Sequence, residues 1–409
     1  ERYQQPIILG LGAIPIISIL ESALFAGRGL SLLSAVIIFV AVAGAAYGWK
    51  VSQTRVQARM SSLTPTQERT KDWLVRIVIV ALVLGLPLLG TYPAEVLDNV
   101  GLYVLMGLGL NIVVGFAGLL DLGYVAFFAI GAYTVGVLTS PEIAWTGFQM
   151  SFWAALPIAV VLATLAGIIL GIPVLGMRGD YLAIVTLGFG EIIRLVALSD
   201  WLKPYIGGSN GITLIPKAPM GPLGALDTPG TLYYLILAGV LIVLFVSTRV
   251  KDSRLGRAWM AMREDEDVAE AMGINLVRTK LLAFATGAAF SGLAGAIFAS
   301  KLTSIYPHSF HLLISILVLC VIIVGGIGSI PGVVVGAFAL VGLPEILREF
   351  AEYRMLMYGA ALVLMMLTRP EGLLPEARRK LELHEEEEPA LAEDQSMMAV
   401  ASAEPGAGD

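Results

Sequence analysis

Mostly apolar stretches follow one another along the 409-residue chain. Each is close to the roughly 20 residues that an α-helix needs to cross a bilayer. Twelve such candidates lie near residues 6–26, 30–49, 74–92, 98–119, 122–139, 152–176, 181–199, 230–248, 281–300, 311–330, 332–349 and 352–368. The runs are too long for the strands of a membrane barrel and lack their two-residue alternation. The sequence therefore predicts an all-α polytopic membrane protein with about twelve transmembrane helices.

The composition excludes a soluble globular protein of this size. Only 14% of the residues are charged and 57% are hydrophobic, whereas soluble domains carry about 25% charged residues. So few polar side chains cannot cover a soluble surface, and the mean hydropathy of +0.83 agrees with burial in lipid. The single cysteine, Cys320, excludes a disulfide within the chain and a cysteine-based metal site.

The distribution of lysine and arginine predicts the orientation, because basic residues stay on the cytoplasmic side of the membrane. With the N-terminus inside and twelve spans, nineteen basic residues fall inside and six outside, and Arg194 lies within a span. Both termini are therefore expected in the cytoplasm.

Three regions differ in composition. Residues 1–97 form an N-terminal appendage of about three spans with a basic cytoplasmic linker. Residues 98–376 form a glycine-rich core, which includes a polar cytoplasmic loop at 249–280. Residues 377–409 are an acidic tail that we expect to be disordered, since it has few residues to bury. This tail is either a solvated end or a binding segment.

Two glycine-rich segments predict an internal repeat. Residues 113–132 and 323–337 both run from apolar residues through a glycine-rich turn to an apolar run that ends in Gly-Ala. Many transporters are built from paired halves with broken, glycine-rich helices. The alternative is a chance match within a glycine-rich membrane protein.

The cytoplasmic loop carries a cluster of acids followed by a helix-forming segment. Four acids at 264–267 precede Val268–Met272, and Gly273 is suited to end a helix. Acids in a first turn interact favourably with the helix dipole. We predict a short amphipathic helix on the cytoplasmic face, which is either a solvated connector or a docking helix for a soluble partner.

Several polar residues in other positions are candidates for function. Glu191 and Arg194 lie inside a span at a spacing that allows an ion pair, which stabilises the bundle or lines a path. Asn111 is expected to bond a neighbouring helix, with a role in the path as the alternative. No set of catalytic residues is found, and His308 and His311 lack a third ligand, so no metal site is expected. An outside loop, either a plain turn or a contact for another protein, consists of Gly207, Gly208, Ser209, Asn210 and Gly211.

Five motifs occur in a familiar order between residues 98 and 376. They are RGDYLAIVTLGFGEIIR at 178–194, GGSNGI at 207–212, RLGRAW at 254–259 with REDE at 263–266, GGIGS at 325–329 and RPEGLLP at 369–375. Together they resemble the LivM-type permease subunits of branched-chain amino-acid ABC importers. The segment Ala269–Ile274 is similar to the coupling loop of bacterial ABC permeases.

This resemblance implies one half of an importer in the bacterial inner membrane that takes up leucine, isoleucine and valine. A homologous second permease, LivH-like, would complete the path. A periplasmic binding protein would contact residues 207–211 and deliver substrate from above, and two ATPase subunits would dock below. The chain has no phosphate-binding Gly-x-x-x-x-Gly-Lys-Ser/Thr loop, so ATP and Mg belong to those partners and the chain is not an enzyme. The residues expected to contact an ATPase are Glu264, Asp265, Glu266, Asp267, Ala269, Glu270, Ala271, Gly273 and Ile274.

Other functions stay open from the sequence. Related permeases for urea, amides or other amino acids share the implied fold. An ion-coupled secondary transporter would need no ATPase, and a membrane enzyme would need catalytic residues on one membrane face.

Overall fold

A computed structural model describes residues 83–142, 149–219, 226, 228–342, 345, 359, 363 and 372–375. The chain divides into two units, residues 1–86 and 87–409, and the architecture below is that of the second unit. The spans predicted near 6–26 and 30–49 lie outside the described residues. Those predicted near 74–92 and 352–368 lie largely outside them.

Helices make up nearly all of the described part. They are α1 (Thr91–Leu110), α2 (Val125–Thr139), α3 (Phe152–Val174), α4 (Asp180–Leu198), α5 (Lys203–Ile206), α6 (Pro229–Lys251), α7 (Arg254–Glu264), α8 (Glu266–Ala271), α9 (Leu276–Leu302), α10 (Leu312–Gly325) and α11 (Ile330–Ala337). A π-helical turn continues α1 to Phe116, and another continues α11 to Gly342. The described residues contain one isolated β-bridge, Ile212 to Ile305, and no strand.

The helices confirm the all-α membrane fold. Six of them, with their short extensions, are long and apolar enough to cross a membrane, and two apolar helices are shorter. Each of the eight spans predicted between residues 98 and 349 coincides with one of these helices. The total of about twelve spans stays a prediction, as do the internal repeat and the domain boundaries.

Helix α9 lies at the centre of the bundle, against α2 on one side and α3 on another. Glycines allow the backbones of α2 and α9 to touch, because a Cβ at Gly131 would stand 2.1 Å from the carbonyl oxygen of Gly292. A Cβ at Gly295 would stand 2.0 Å from the carbonyl oxygen of Phe128. Small residues at such contacts let membrane helices pack closely.

The α2 helix begins at Val125, three residues after the start of the span predicted at 122–139, and is shorter than a full span. It has 15 residues and so rises about 22 Å, less than the roughly 30 Å of a bilayer core. Its first turn lies partway along α9, because the Tyr124 hydroxyl donates to the carbonyl oxygen of Gly287, the twelfth residue of α9 (2.9 Å). The loop that precedes α2 therefore re-enters the bundle.

The re-entrant loop needs polar partners, since backbone groups inside a membrane cannot bond water. The buried side chains that bond it are Asp121, Thr186, Ser291 and Ser315. For example, the Leu122 amide donates to the Thr186 hydroxyl (3.0 Å), and the Val125 amide donates to the Ser315 hydroxyl (2.9 Å). These bonds explain how an irregular segment is stable at this depth.

Contacts between loops define two ends of the bundle. At the end that we call the α7 end, residues 115–118, 175–180, 251–280 and 324–329 lie close together, and Leu373 pairs with Val324. At the other end, the α5 end, lie residues 140–142, 203–219 and 301–311. The loops expected inside the cell thus share one end, and those expected outside share the other.

Candidate docking site and intramembrane ion pair

Two short helices, α7 and α8, form the polar connection between α6 and α9. The Ser253 hydroxyl accepts a bond from the Gly256 amide (3.2 Å) at the start of α7. The Asp265 carboxylate accepts bonds from the amides of Asp267 (2.8 Å) and Val268 (3.0 Å) at the start of α8. The predicted short helix is α8, and it begins after Asp265, because the Asp265 side chain caps α8 while its own backbone is extended.

The inner face of α7 is fixed to the bundle. The Trp259 indole is fully buried and donates to the carbonyl oxygen of Thr279 (2.8 Å), at the start of α9. The Arg263 guanidinium donates to the carbonyl oxygen of Gly115 (2.6 Å), in the turn that follows α1. These bonds hold α7 against two transmembrane helices.

The α8 helix is held by an ionic cluster of Arg178, Glu266, Asp267 and Lys280. The Glu266 carboxylate lies between two cations, 2.9 Å from Arg178 Nε and 2.8 Å from Lys280 Nζ. The Asp267 carboxylate lies 2.7 Å from the Arg178 guanidinium, whose hydrogen bonds lower the pKa of Asp267 below its ordinary value. Only 3% of the Lys280 side chain is exposed, so Glu266 neutralises a buried charge.

The outer surface of α8 is partly apolar, although it lies outside the transmembrane helices. Met272 is 79% exposed and Val268 is 58% exposed. Val277 is also exposed, and the acids Glu264 and Glu270 lie on the exposed surface of the same connection. Exposed apolar groups rimmed by charge are typical of protein interaction sites. We call Glu264, Val268, Glu270, Met272 and Val277 the docking surface.

The nine residues predicted to contact an ATPase do not all face outward. Ala269 is buried, and Ile274 is half-buried against the core. Glu266 and Asp267 are engaged in the ionic cluster, and Asp265 caps α8. Exposed positions without such a structural bond are Glu264, Glu270, Ala271 and Gly273. Gly273 ends the helix in the left-handed region (φ +88°), as its predicted capping role requires.

A cavity of about 300 Å³ lies between α7, α8 and two turns of the bundle. Glycines at the two turns, Gly118 and Gly179, leave room there, and Arg178 and Arg263 line it together with the acids at 264–267. The cavity is therefore polar and lies beside the docking surface.

The predicted pair Glu191–Arg194 forms on α4, where the Arg194 guanidinium donates to the Glu191 carboxylate. The two side chains are 44% and 29% exposed. In the most apolar 18-residue stretch of α4, only 22% of the residues are buried. Ile192 and Leu195, beside the pair, are exposed. The pair thus lies on a face of α4 that the described residues leave uncovered.

Asn111 bonds a turn rather than a helix. Its side-chain carbonyl accepts from the amide of Gly328 (2.9 Å), in the turn between α10 and α11. A Cβ at Gly115 would stand 2.8 Å from that same amide nitrogen. The two glycine-rich segments that the sequence pairs as a repeat are therefore in direct contact at the α7 end.

The outside loop lies at the α5 end and is tightly folded. Gly207, Gly208 and Gly211 all have positive φ angles, and Gly208 and Gly211 are buried. Only Ser209 and Asn210 of this loop are exposed. In the part of the chain that the structure describes, no group of three His, Cys, Asp or Glu side chains could hold a metal ion.

Sequence reasoning missed three contributors to this end of the molecule. Arg178 was assigned only to the 178–194 motif and Lys280 only to the polar loop at 249–280, although both bond α8. Met272 was assigned only to the helix, although it is the most exposed large apolar residue of the connection. The signal available in the sequence was an apolar residue two positions after Glu270, in a polar segment expected outside the membrane.

A bundle of apolar helices, with exposed apolar side chains rimmed by acids at one end, defines a multi-span membrane protein. A family model described as branched-chain amino acid transport system / permease component matches residues 92–366. The chain belongs to this family.

The relatives that follow are named as transport permeases. The "high-affinity branched-chain amino acid transport system permease protein LivM" of Escherichia coli is 44% identical over 304 residues, which is 69% of this chain and 70% of that protein. A probable LivM permease of Methanocaldococcus jannaschii is 23% identical, covering 68% of this chain and 91% of that protein. The LivH permease of Salmonella typhimurium is 26% identical, covering 66% and 91%. No solved structure gives a significant match to the chain.

Proposed function

We propose that this chain is a permease subunit of an ATP-driven importer that carries leucine, isoleucine and valine across the bacterial inner membrane. Relatives named as branched-chain amino acid permeases support the substrate class. The observation that supports an ATP-driven mechanism is the docking surface. Exposed Met272 and Val268 need a soluble partner to cover them, and the ionic cluster fixes α8 so that a partner can act on it.

The proposed complex contains four kinds of subunit. A homologous second permease covers the open face of α4, and two ATPases bind ATP and Mg and dock on α8. A periplasmic binding protein delivers substrate at the α5 end, where Ser209 and Asn210 are exposed. In this arrangement the α7 end is cytoplasmic, as are both termini. The core spans residues 98–376, and about twelve spans complete the chain.

The Glu191–Arg194 pair is proposed to face the path or the second permease rather than lipid. A half-exposed ion pair in contact with acyl chains would be costly, and intramembrane charges usually face a bundle interior or a water-filled cavity. A branched-chain amino acid is apolar apart from its zwitterionic end. A mostly apolar path with one ion pair suits such a substrate.

Glu191→Gln should reduce leucine uptake about fivefold or more while membrane insertion stays normal, since a loss of about 1 kcal/mol in a transport step gives that factor. Uptake per unit of membrane-inserted protein is the measurement. A purely stabilising pair would instead lower the thermal stability of the protein. Normal uptake by well-expressed Glu191→Gln protein would refute the path role.

Purification of the assembled complex tests the proposed function. The chain should co-elute with a second permease and an ATPase from membranes in which all subunits are co-expressed. Glu270→Arg and Gly273→Val should weaken the ATPase association, because they change the charge and the left-handed turn of the docking segment. Retention of stoichiometric ATPase in both variants would place the contact elsewhere on the chain.

A further inference from the structure

The ionic cluster joins α8 to two different transmembrane helices. Glu266 is shared, with one carboxylate oxygen 2.8 Å from Lys280 Nζ and the other 2.9 Å from Arg178 Nε. Lys280 belongs to the second turn of α9, and Arg178 lies two residues before α4 begins at Asp180. When α8 moves, the ionic cluster therefore pulls on both α9 and the start of α4.

The contact with α9 is the fixed one. Lys280 is buried, and its ammonium also donates to the carbonyl oxygen of Leu175 (3.3 Å). Helix α9 itself is central, with 61% of its most apolar part buried. Because close-packed cores resist deformation, α9 moves little when α8 is pushed.

The contact with α4 is the movable one. Only 22% of the most apolar part of α4 is buried within this chain, against 61% for α9, so α4 is held by fewer contacts with its own bundle. The link itself is short, since one glycine, Gly179 in the left-handed region (φ +57°), separates Arg178 from α4. The Arg178 guanidinium donates two hydrogen bonds to the Asp267 carboxylate, so the contact fixes the relative orientation of the two groups as well as their distance.

Helix α4 also carries groups that the path would use. The Glu191–Arg194 pair lies on its uncovered face. On its other face, Phe189 packs against Phe127 of α2 (5.9 Å between ring centroids), and Gly190 lies against Gly123 of the re-entrant loop. A shift of α4 would therefore reach both the ion pair and the re-entrant loop.

We propose that Arg178 is the positioning residue that transmits movement of the ATPase-docking helix α8 to α4. The inference rests on the proposed function, since it requires an ATPase at the docking surface. Arg178 itself lies beside that surface and contacts neither substrate nor nucleotide in this account. The links from α7 lead to other helices. Trp259 bonds α9, and Arg263 bonds the turn after α1, a helix whose most apolar part is 78% buried and which therefore moves less than α4.

The test uses the complete complex in liposomes, with uptake of labelled leucine and ATP hydrolysis measured on the same preparation. Arg178→Gln should keep the ATPases bound, while leucine transported per ATP hydrolysed falls at least about fivefold, the lower range of allosteric coupling. Arg178→Lys, which keeps one ionic bond, should recover part of the ratio. Arg254→Gln is the matched control, because it removes an exposed arginine of the same connection whose side chain has no ionic partner in the described residues.

The ratio of leucine transported to ATP hydrolysed distinguishes a role of Arg178 in coupling from a role in folding. A role in stability alone would lower uptake and ATP hydrolysis together, leave the ratio unchanged and overturn the inference, as would an equal fall in Arg254→Gln. A wild-type ratio in Arg178→Gln overturns this inference alone. A wild-type complex that shows no ATP-dependent leucine uptake overturns the proposed function together with it.

Discussion

Gly131→Ala should strongly destabilise the protein, although it adds one methyl group. The new Cβ would stand 2.1 Å from the carbonyl oxygen of Gly292, which no relaxation of a flexible side chain can relieve. Helices α2 and α9 would have to separate at the centre of the bundle. Overpacking of this kind costs about 2–3 kcal/mol, which lowers the apparent melting temperature of the purified 409-residue protein by about 2 to 4 °C.

Gly188→Ala is the matched control for this prediction. A Cβ at Gly188 meets nothing within 4 Å, although the residue lies in a transmembrane helix of the same bundle. Alanine also has a higher helix propensity than glycine. This variant should melt at or slightly above the wild-type temperature, and equal melting temperatures for both variants would contradict the α2–α9 contact.

Met272→Glu should release the ATPase from the complex. Met272 is the most exposed large apolar side chain of the docking surface, and a carboxylate there would be desolvated without a partner on binding. Loss of a central interface residue typically costs about 2 kcal/mol or more, which is a fall in affinity of at least about 30-fold. Titration of purified permease with labelled ATPase measures this affinity directly.

Leu214→Glu is the control for the docking prediction. Leu214 is 67% exposed, so the same apolar-to-acid change is made at an equally accessible position, but at the α5 end. ATPase affinity should stay at the wild-type value in this variant. The docking surface is wrongly assigned if Leu214→Glu weakens the ATPase as much as Met272→Glu does.

The sequence predicted the helices well because their signal is local. Runs of about twenty apolar residues have few alternatives to a spanning helix, so every predicted span between residues 98 and 349 corresponds to a helix. The predicted span at 122–139 began three residues before α2, because Leu122, Gly123 and Tyr124 of the re-entrant loop do not interrupt the apolar run. Only distant residues, such as Thr186 and Ser315, supply the bonds that stabilise that irregular segment.

The candidate site was predictable only in part, for a similar reason. The i,i+3 spacing of Glu191 and Arg194 specified their contact directly. The ionic cluster joins residues from three separate segments, and no local pattern pairs Arg178 with Glu266 or Lys280. Ala269 is buried although acids lie at 267 and 270, since a six-residue helix must turn one face to the bundle.

Leucine uptake into liposomes tests the central claim most directly. The liposomes would hold this chain with its second permease and ATPases, ATP inside or absent, and the binding protein outside with labelled leucine. Uptake should require ATP and the ATPases, and unlabelled isoleucine and valine should compete, while urea, amides and aromatic amino acids should not. Uptake by the single chain driven by an ion gradient, or competition by urea but not by isoleucine, would contradict the account.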